Sequence, residues 1–223
     1  MKILTVLLAI CIGAFWLSAI SVVALRFDFE SEKEIADWEL GPDATATVEK
    51  GMLRLEVGGS DSGIYFGDPN WTDYRMEVRA RKIEGPYFHL FIRVVEPVQD
   101  FYFMEISYNS DTTSLHRFEA GTGTEITPDG VRPARPESKD TEGGDAYTLV
   151  FEAKGDTIKI FIDGKLMIEQ KDNKYLEGKL GLGGRTSTVL YEYVDVEGAG
   201  IPPTTVDRKS KLTSTWGRLK NQY

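Results

Sequence analysis

Residues 85–107 read GPYFHLFIRVVEPVQDFYFMEIS. On an extended chain, whose side chains alternate between faces, Tyr87, His89, Phe91 and Arg93 share one side, and Phe88, Leu90, Ile92 and Val94 share the other. The second set is an ordinary core face. The first is too aromatic for a plain solvated face and too polar for a second core. It puts a phenol, an imidazole and a guanidinium in one row, and such groups hold hydroxyls and carboxylates through several fixed hydrogen bonds. Phe103 and Glu105 join the row if Tyr102, Met104 and Ile106 point inward on the next strand. Two readings stand. The row binds a ligand, or Phe91 and Phe103 are cross-strand filler and Arg93 pairs with Glu105.

Other chemistries leave no trace. The two histidines, His89 and His116, lack a His-x-x-x-His or cysteine spacing, so no catalytic zinc is expected. No Gly-x-Ser-x-Gly elbow and no phosphate loop appear. The glycine-rich GTGTE at 121–125 precedes no helical pattern that could aim an N-terminus at a phosphate, so it reads as loop.

The elements that must carry the row are strands. Leu53, Leu55 and Val57 alternate with polar neighbours, as do Met76, Val78 and Ala80, then Leu149, Phe151 and Ala153, then Ile158, Ile160 and Ile162. Lys154-Gly155-Asp156 and Asp163-Gly164 are hairpin turns, the second suited to a type I′ turn. Residues 121–144 hold three prolines, five glycines and no apolar period, and read as a long exposed loop. Asn70-Trp71-Thr72 is a glycosylation sequon that matters only on a eukaryotic secretory path, and Trp71 reads as core filling. Many short antiparallel strands in one domain predict an all-β, two-sheet sandwich.

Composition bounds the rest. The chain has 223 residues and a formal net charge of -9, which argues against nucleic acid as a partner. Met1-Lys2, an uncharged run from Ile3 to Leu25 and the small residues Val22-Val23-Ala24 form a leader. The expectation is a signal peptide over residues 1–24 with secreted, periplasmic or cell-surface export, the alternative being an uncleaved anchor over residues 3–25. The single cysteine, Cys11, lies in that leader, so the exported domain has no disulfide. Residues 25–198 form the sandwich. Residues 199–223 form a proline-containing linker and a basic tail, in which Leu212, Trp216 and Leu219 fall on one face of a short helix. From Ile201 onward the tail has five Lys/Arg against one Asp, a net of +4, which makes residues 208–223 a candidate for contact with a membrane or cell surface.

The order of the pieces carries a resemblance. FDFESEKEIADWEL, GMLRLEVGGSDSGIYFGDPNWTDYRMEVRARK, FHLFIR, DFYFMEIS, DAYTLVFEAKGDTIKIFIDGKLMIE, YLEGKLGLGG and LYEYVDVEG follow one another over residues 27–198. This series resembles the concanavalin A-like lectin/glucanase superfamily, in particular laminin-G-like modules and the domain linked to 3-keto-disaccharide hydrolases. The resemblance implies a jelly-roll sandwich with a concave sheet that binds sugars. Tyr87, His89, Phe91, Arg93, Phe103 and Glu105 would then line the sugar site, with aromatic faces stacked on sugar rings. It implies a structural Ca²⁺ held by Asp28 or Glu30 with Asp195, since hard cations take carboxylate oxygens. For catalysis, EYVDVE presents Glu192, Asp195 and Glu197 in a spacing unlike the glucanase Glu-x-Asp-x-(x)-Glu. The 3-keto branch's Asn-Ser-Gly is missing, and Glu105 stands where that branch has glutamine. The expectation is therefore an exported, non-catalytic carbohydrate-binding or adhesion module. The alternatives are a glycoside-active hydrolase working through Glu105 and a structural cell-surface domain.

Overall fold

The computed structural model describes residues 25–95, 100–135 and 146–202. The expected leader over 1–24 and the tail segment 208–223 lie outside the described residues, as does part of the 121–144 loop. In chain order the strands are β1 (Leu25–Phe27), β2 (Glu39–Leu40), β3 (Ala44–Glu49), β4 (Met52–Val57), β5 (Ser62–Phe66), β6 (Tyr74–Glu84), β7 (Tyr87–Val95), β8 (Asp100–Ser107), β9 (Thr112–Glu119), β10 (Thr122–Glu125), β11 (Tyr147–Lys154), β12 (Thr157–Ile162), β13 (Lys165–Lys171), β14 (Lys179–Arg185) and β15 (Ser187–Gly198). They form two antiparallel sheets, the two-sheet sandwich that the alternation predicts and the jelly roll that the resemblance implies. One sheet runs β13-β12-β11-β6-β15-β4-β3, with β1 added beside β15. The other runs β10-β9-β8-β7-β14-β5-β2.

The core lies between the sheets. Leu53, Leu55, Met76, Val78, Ala80, Leu149, Phe151, Ile158 and Ile160 face inward from the first sheet. Phe88, Leu90, Ile92, Tyr102, Met104, Ile106, Leu115, Leu180 and Leu182 meet them from the second. Each buried side chain of this size contributes about 1.5–3 kcal/mol, and a one-residue slip would send a whole strand's set to solvent. Register in the site-bearing sheet is therefore fixed by what lies behind it. The Asp163-Gly164 turn joins β12 to β13 with φ of 47° and 78°, the positive angles a type I′ turn needs.

The segment GTGTE is strand rather than loop. Ala120 and Gly121, both at positive φ, turn the chain back. Thr122 to Glu125 then pair with Glu119 to His116. Beyond β10 the chain stays against β9: the Ile126 amide donates to the Leu115 carbonyl, and Thr112 bridges Ala134. Backbone pairing, which needs no apolar side chain, holds this stretch, so a search for apolar period passes over it.

Candidate functional site

The outer face of the seven-stranded sheet gathers the chemistry, and sheet register says why. His89 on β7 lies opposite Glu105 on β8 and Gly183 on β14, and Glu105 lies opposite Ser114 on β9. One row along, Phe91 lies between Gly181 and Phe103, and Phe103 lies opposite His116. On the other side, Tyr87 faces Arg185. The glycines of β14 make room. A Cβ at Gly181 would sit 2.6 Å from the Tyr65 ring, and one at Gly183 would sit 2.5 Å from the Phe91 ring.

Tyr65, Phe91, Val94, Phe101 and Phe103 bury one another as an apolar floor, with Phe118 stacked on Phe101 at 4.8 Å. His116 stacks on Phe103 at 4.7 Å, and its Nε2 lies 2.8 Å from the Ser114 hydroxyl. Phe91 and Phe103 are buried, so stacking on a ligand falls to the partly exposed Tyr87 and His116.

Beside the floor sits a polar centre. His89 is fully buried. Its Nε2 is 3.2 Å from Glu105 Oε2, and its Nδ1 is 3.7 Å from Asp61 Oδ1. Arg185 reaches over from β14, with Nε 3.6 Å from Asp61 Oδ1 and Nη2 4.0 Å from Glu105 Oε2. Its guanidinium lies 4.2 Å above the Tyr87 ring, and the Asn109 amide donates to the Tyr87 hydroxyl. Burial works to raise the Glu105 carboxyl. The hydrogen bond from His89 and the favourable electrostatics of His89, His116 and Arg185 outweigh it, and Glu105 titrates below its ordinary range. Burial pushes His116 down, against the pull of Glu105 and Glu125. Glu105 is therefore a carboxylate at neutral pH, and His116 is a neutral ring. Such a set can hold vicinal hydroxyls, move a proton between carboxylate and imidazole, or ligate an ion through Asp61, His89 and Glu105, whose donor atoms lie within 4.8 Å of one another.

Of the residues expected from the sequence, Tyr87, His89, Phe91, Phe103 and Glu105 come together, while Arg93 does not. A bulge breaks the β7–β8 register between Ile92 and Val95, and Arg93 takes a φ of 51°. The alternation inverts there: Val94 joins the outer floor, and the Arg93 side chain turns into the end of the sandwich. Its guanidinium donates to the carbonyls of Tyr175 (2.9 Å), Gly155 (2.6 Å) and Thr72 (3.3 Å), and its amide donates to the Tyr74 hydroxyl (2.7 Å). It pairs with neither Glu105 nor a ligand on this face; it ties three connections together.

The residues expected to hold calcium are also arranged otherwise. Asp28 and Asp195 share the guanidinium of Arg26, at 2.6 and 2.5 Å, so a calcium ion there would have to displace that cation. Glu30 stands exposed, and its amide donates to Glu34. Asp61, Arg185, His116 and Ser114 were missed. The local signals were slight: a lone acid in GGSDSG, a cation ending GLGGR, and the alternation of Ser114 and His116 on β9.

Known proteins share this fold. A carbohydrate-binding module from Bacillus subtilis superposes with a TM-score of 0.61 at 24% identity, covering 72% of this chain and 95% of that one. A prokaryotic β-1,3-1,4-glucanase (lichenase) derived from a mouse hindgut metagenome superposes with a TM-score of 0.59 at 14% identity, covering 78% and 99%. These likenesses establish the concanavalin A-like fold. An extracellular exo-α-L-arabinofuranosidase of Streptomyces chartreusis is 24% identical over 122 residues, which is 53% of this chain and 14% of that protein. The chain thus corresponds to a small part of that relative. A family model matches residues 27–197, from the first strand to the last, and by it the chain belongs to the 3-keto-α-glucoside-1,2-lyase-like domain family.

Proposed function

We propose that the outer face of the seven-stranded sheet binds a saccharide and that the domain is an exported carbohydrate-recognition module. The observation that carries this reading is the convergence of Asp61, Glu105 and Arg185 on the buried His89, with the Tyr87 ring alongside. Two carboxylates accept from hydroxyls, a guanidinium donates to them, and ring faces cover the apolar side of a pyranose or furanose. Solved structures whose names state sugar binding or sugar hydrolysis share the fold, and a sequence relative is named for sugar hydrolysis, which supports the class of ligand. Export is supported by the leader pattern in residues 1–24 and by a relative described as extracellular.

A second reading is favoured by one contact and one name. In it Glu105, ionised and 3.2 Å from His89, would act as a general base. On a 3-keto-glucoside, the family's namesake, it would take the C2 proton, acidified by the adjacent ketone. The electron pair would then form the C1–C2 double bond as the C1–O bond breaks, and the departing oxygen would take a proton from water and leave as the alcohol.

One experiment separates the readings. The chain is titrated calorimetrically with mono- and disaccharides and their 3-keto forms, and the same samples are chromatographed for products. The binding reading predicts heat with at least one sugar, no product, and affinity at least tenfold weaker in Asp61→Asn and Arg185→Gln. Product that disappears in Glu105→Gln would replace it with the lyase reading. No heat with any sugar would contradict both.

A further inference from the structure

His89 presents an electrostatic problem that the protein alone does not solve. Its Nε2 lies 3.2 Å from Glu105. A carboxylate only accepts, so Nε2 carries a proton, and with that proton alone Nδ1 is a lone pair. That lone pair faces Asp61 Oδ1, another acceptor, at 3.7 Å. Both atoms are buried, and neither has a hydrogen-bond partner among the described residues. A second proton on the ring does not close the gap, because N–H···O bonds span about 2.7–3.2 Å. Arg185 Nε, 3.6 Å from the same oxygen, is also too far to donate. Two buried lone pairs pointed at each other are costly unless a cation or a double donor lies between them.

We infer that this gap is a divalent-cation site, with Asp61 Oδ1 and His89 Nδ1 as ligands. Two bonds of about 2.1 Å meeting near 120° span about 3.6 Å, close to the 3.7 Å observed. Glu105 sits behind the ring, fixing its tautomer through Nε2–H as a carboxylate does for a metal-bound histidine. An imidazole in the set selects zinc-like transition ions over Ca²⁺, which prefers an all-oxygen shell. Coordination positions not filled by the protein are open to water or to hydroxyls of a bound sugar. The site does not depend on the saccharide reading, because the ion can be titrated alone. Arg185 opposes the ion, being a cation 3.6 Å from one of its ligands.

The test is calorimetric titration of Zn²⁺, and separately Ca²⁺, into the full chain at neutral pH without sugar, with thermal unfolding measured in parallel. Wild type should bind one Zn²⁺ with a rise in Tm that a chelator reverses. Asp61→Ala and His89→Gln should each weaken binding at least tenfold, and Arg185→Gln should strengthen it several-fold. Asp61 is at the partly exposed rim, so Asp61→Ala decides the matter if His89→Gln does not fold. The inference is overturned if wild type fails to bind Zn²⁺ at a hundredfold excess. It is equally overturned if Asp61→Ala binds like wild type, or if Ca²⁺ binds as tightly as Zn²⁺. Wild type that binds no Zn²⁺ can still give heat with a sugar in metal-free titrations, and wild type that binds Zn²⁺ can give none, so the two readings fail separately.

Discussion

Arg93 and Arg185 are both guanidiniums near the ends of alternating runs on one sheet, and their surroundings give them opposite tasks. Arg93 is buried and spends its donors on three backbone carbonyls. Lysine has no planar fork with which to reach all three. Arg93→Lys should therefore leave buried carbonyls unpaired and lower stability by about 2–4 kcal/mol, read as a fall in the urea midpoint. Arg185 is about a third exposed, and its carboxylate contacts are 3.6–4.0 Å long. Arg185→Gln should change stability by less than about 0.5 kcal/mol while weakening sugar binding. Nothing in FHLFIR distinguishes an arginine that turns inward from one that faces out. The difference arises from a positive φ at Arg93, which alternation does not encode.

At the level of elements, the bulge in β7 and the glycines facing it do the sorting. Gly178, at φ 146°, packs so close that a Cβ there would lie 2.5 Å from the Arg93 carbonyl carbon. Gly178→Ala should destabilise by about 2 kcal/mol or more, and its Tm should fall with that of Arg93→Lys, because both loosen the same corner. Most strands were legible, since a sheet with one buried face writes a period of two into its sequence. That period gave the inward set Phe88, Leu90, Ile92, Tyr102, Met104 and Ile106, and with it the outward set Tyr87, His89, Phe91, Phe103 and Glu105. Two kinds of information were not there to read. β10 is held by backbone pairing to β9, and its side chains are exposed. The approach of Asp61 and Arg185 to His89 follows from β14 lying between β5 and β7 in the sheet, far from its order in the chain. Adjacency of that kind is non-local, so no spacing motif could announce a ligand set drawn from separate strands.

Across the whole molecule, the polar cluster around Asp172 is separate from the proposed site at His89. Asp172 accepts from the Tyr102 hydroxyl of β8, from Arg117 of β9 at 2.6 Å and from the Lys174 amide at 2.9 Å. Burial works to raise its carboxyl, but these partners outweigh it and hold the carboxyl below the ordinary range. A group depressed on folding stabilises fully above its unfolded pKa, and the contribution is lost as pH falls through the folded value. Asp172→Asn should therefore be less stable than wild type at neutral pH, and the two should converge in acid, as measured by urea unfolding at several pH values. The proposed saccharide site lies elsewhere on the same sheet. The most direct test is to titrate a binding sugar into the isotope-labelled chain and follow backbone amide shifts by NMR. Shifts should concentrate at Asp61, Tyr87, His89, Glu105, His116 and Arg185 and spread through the facing glycines of β14. Shifts confined to the other sheet, or to the cleft between Asp43, Glu56, Glu84 and Thr188, would contradict it.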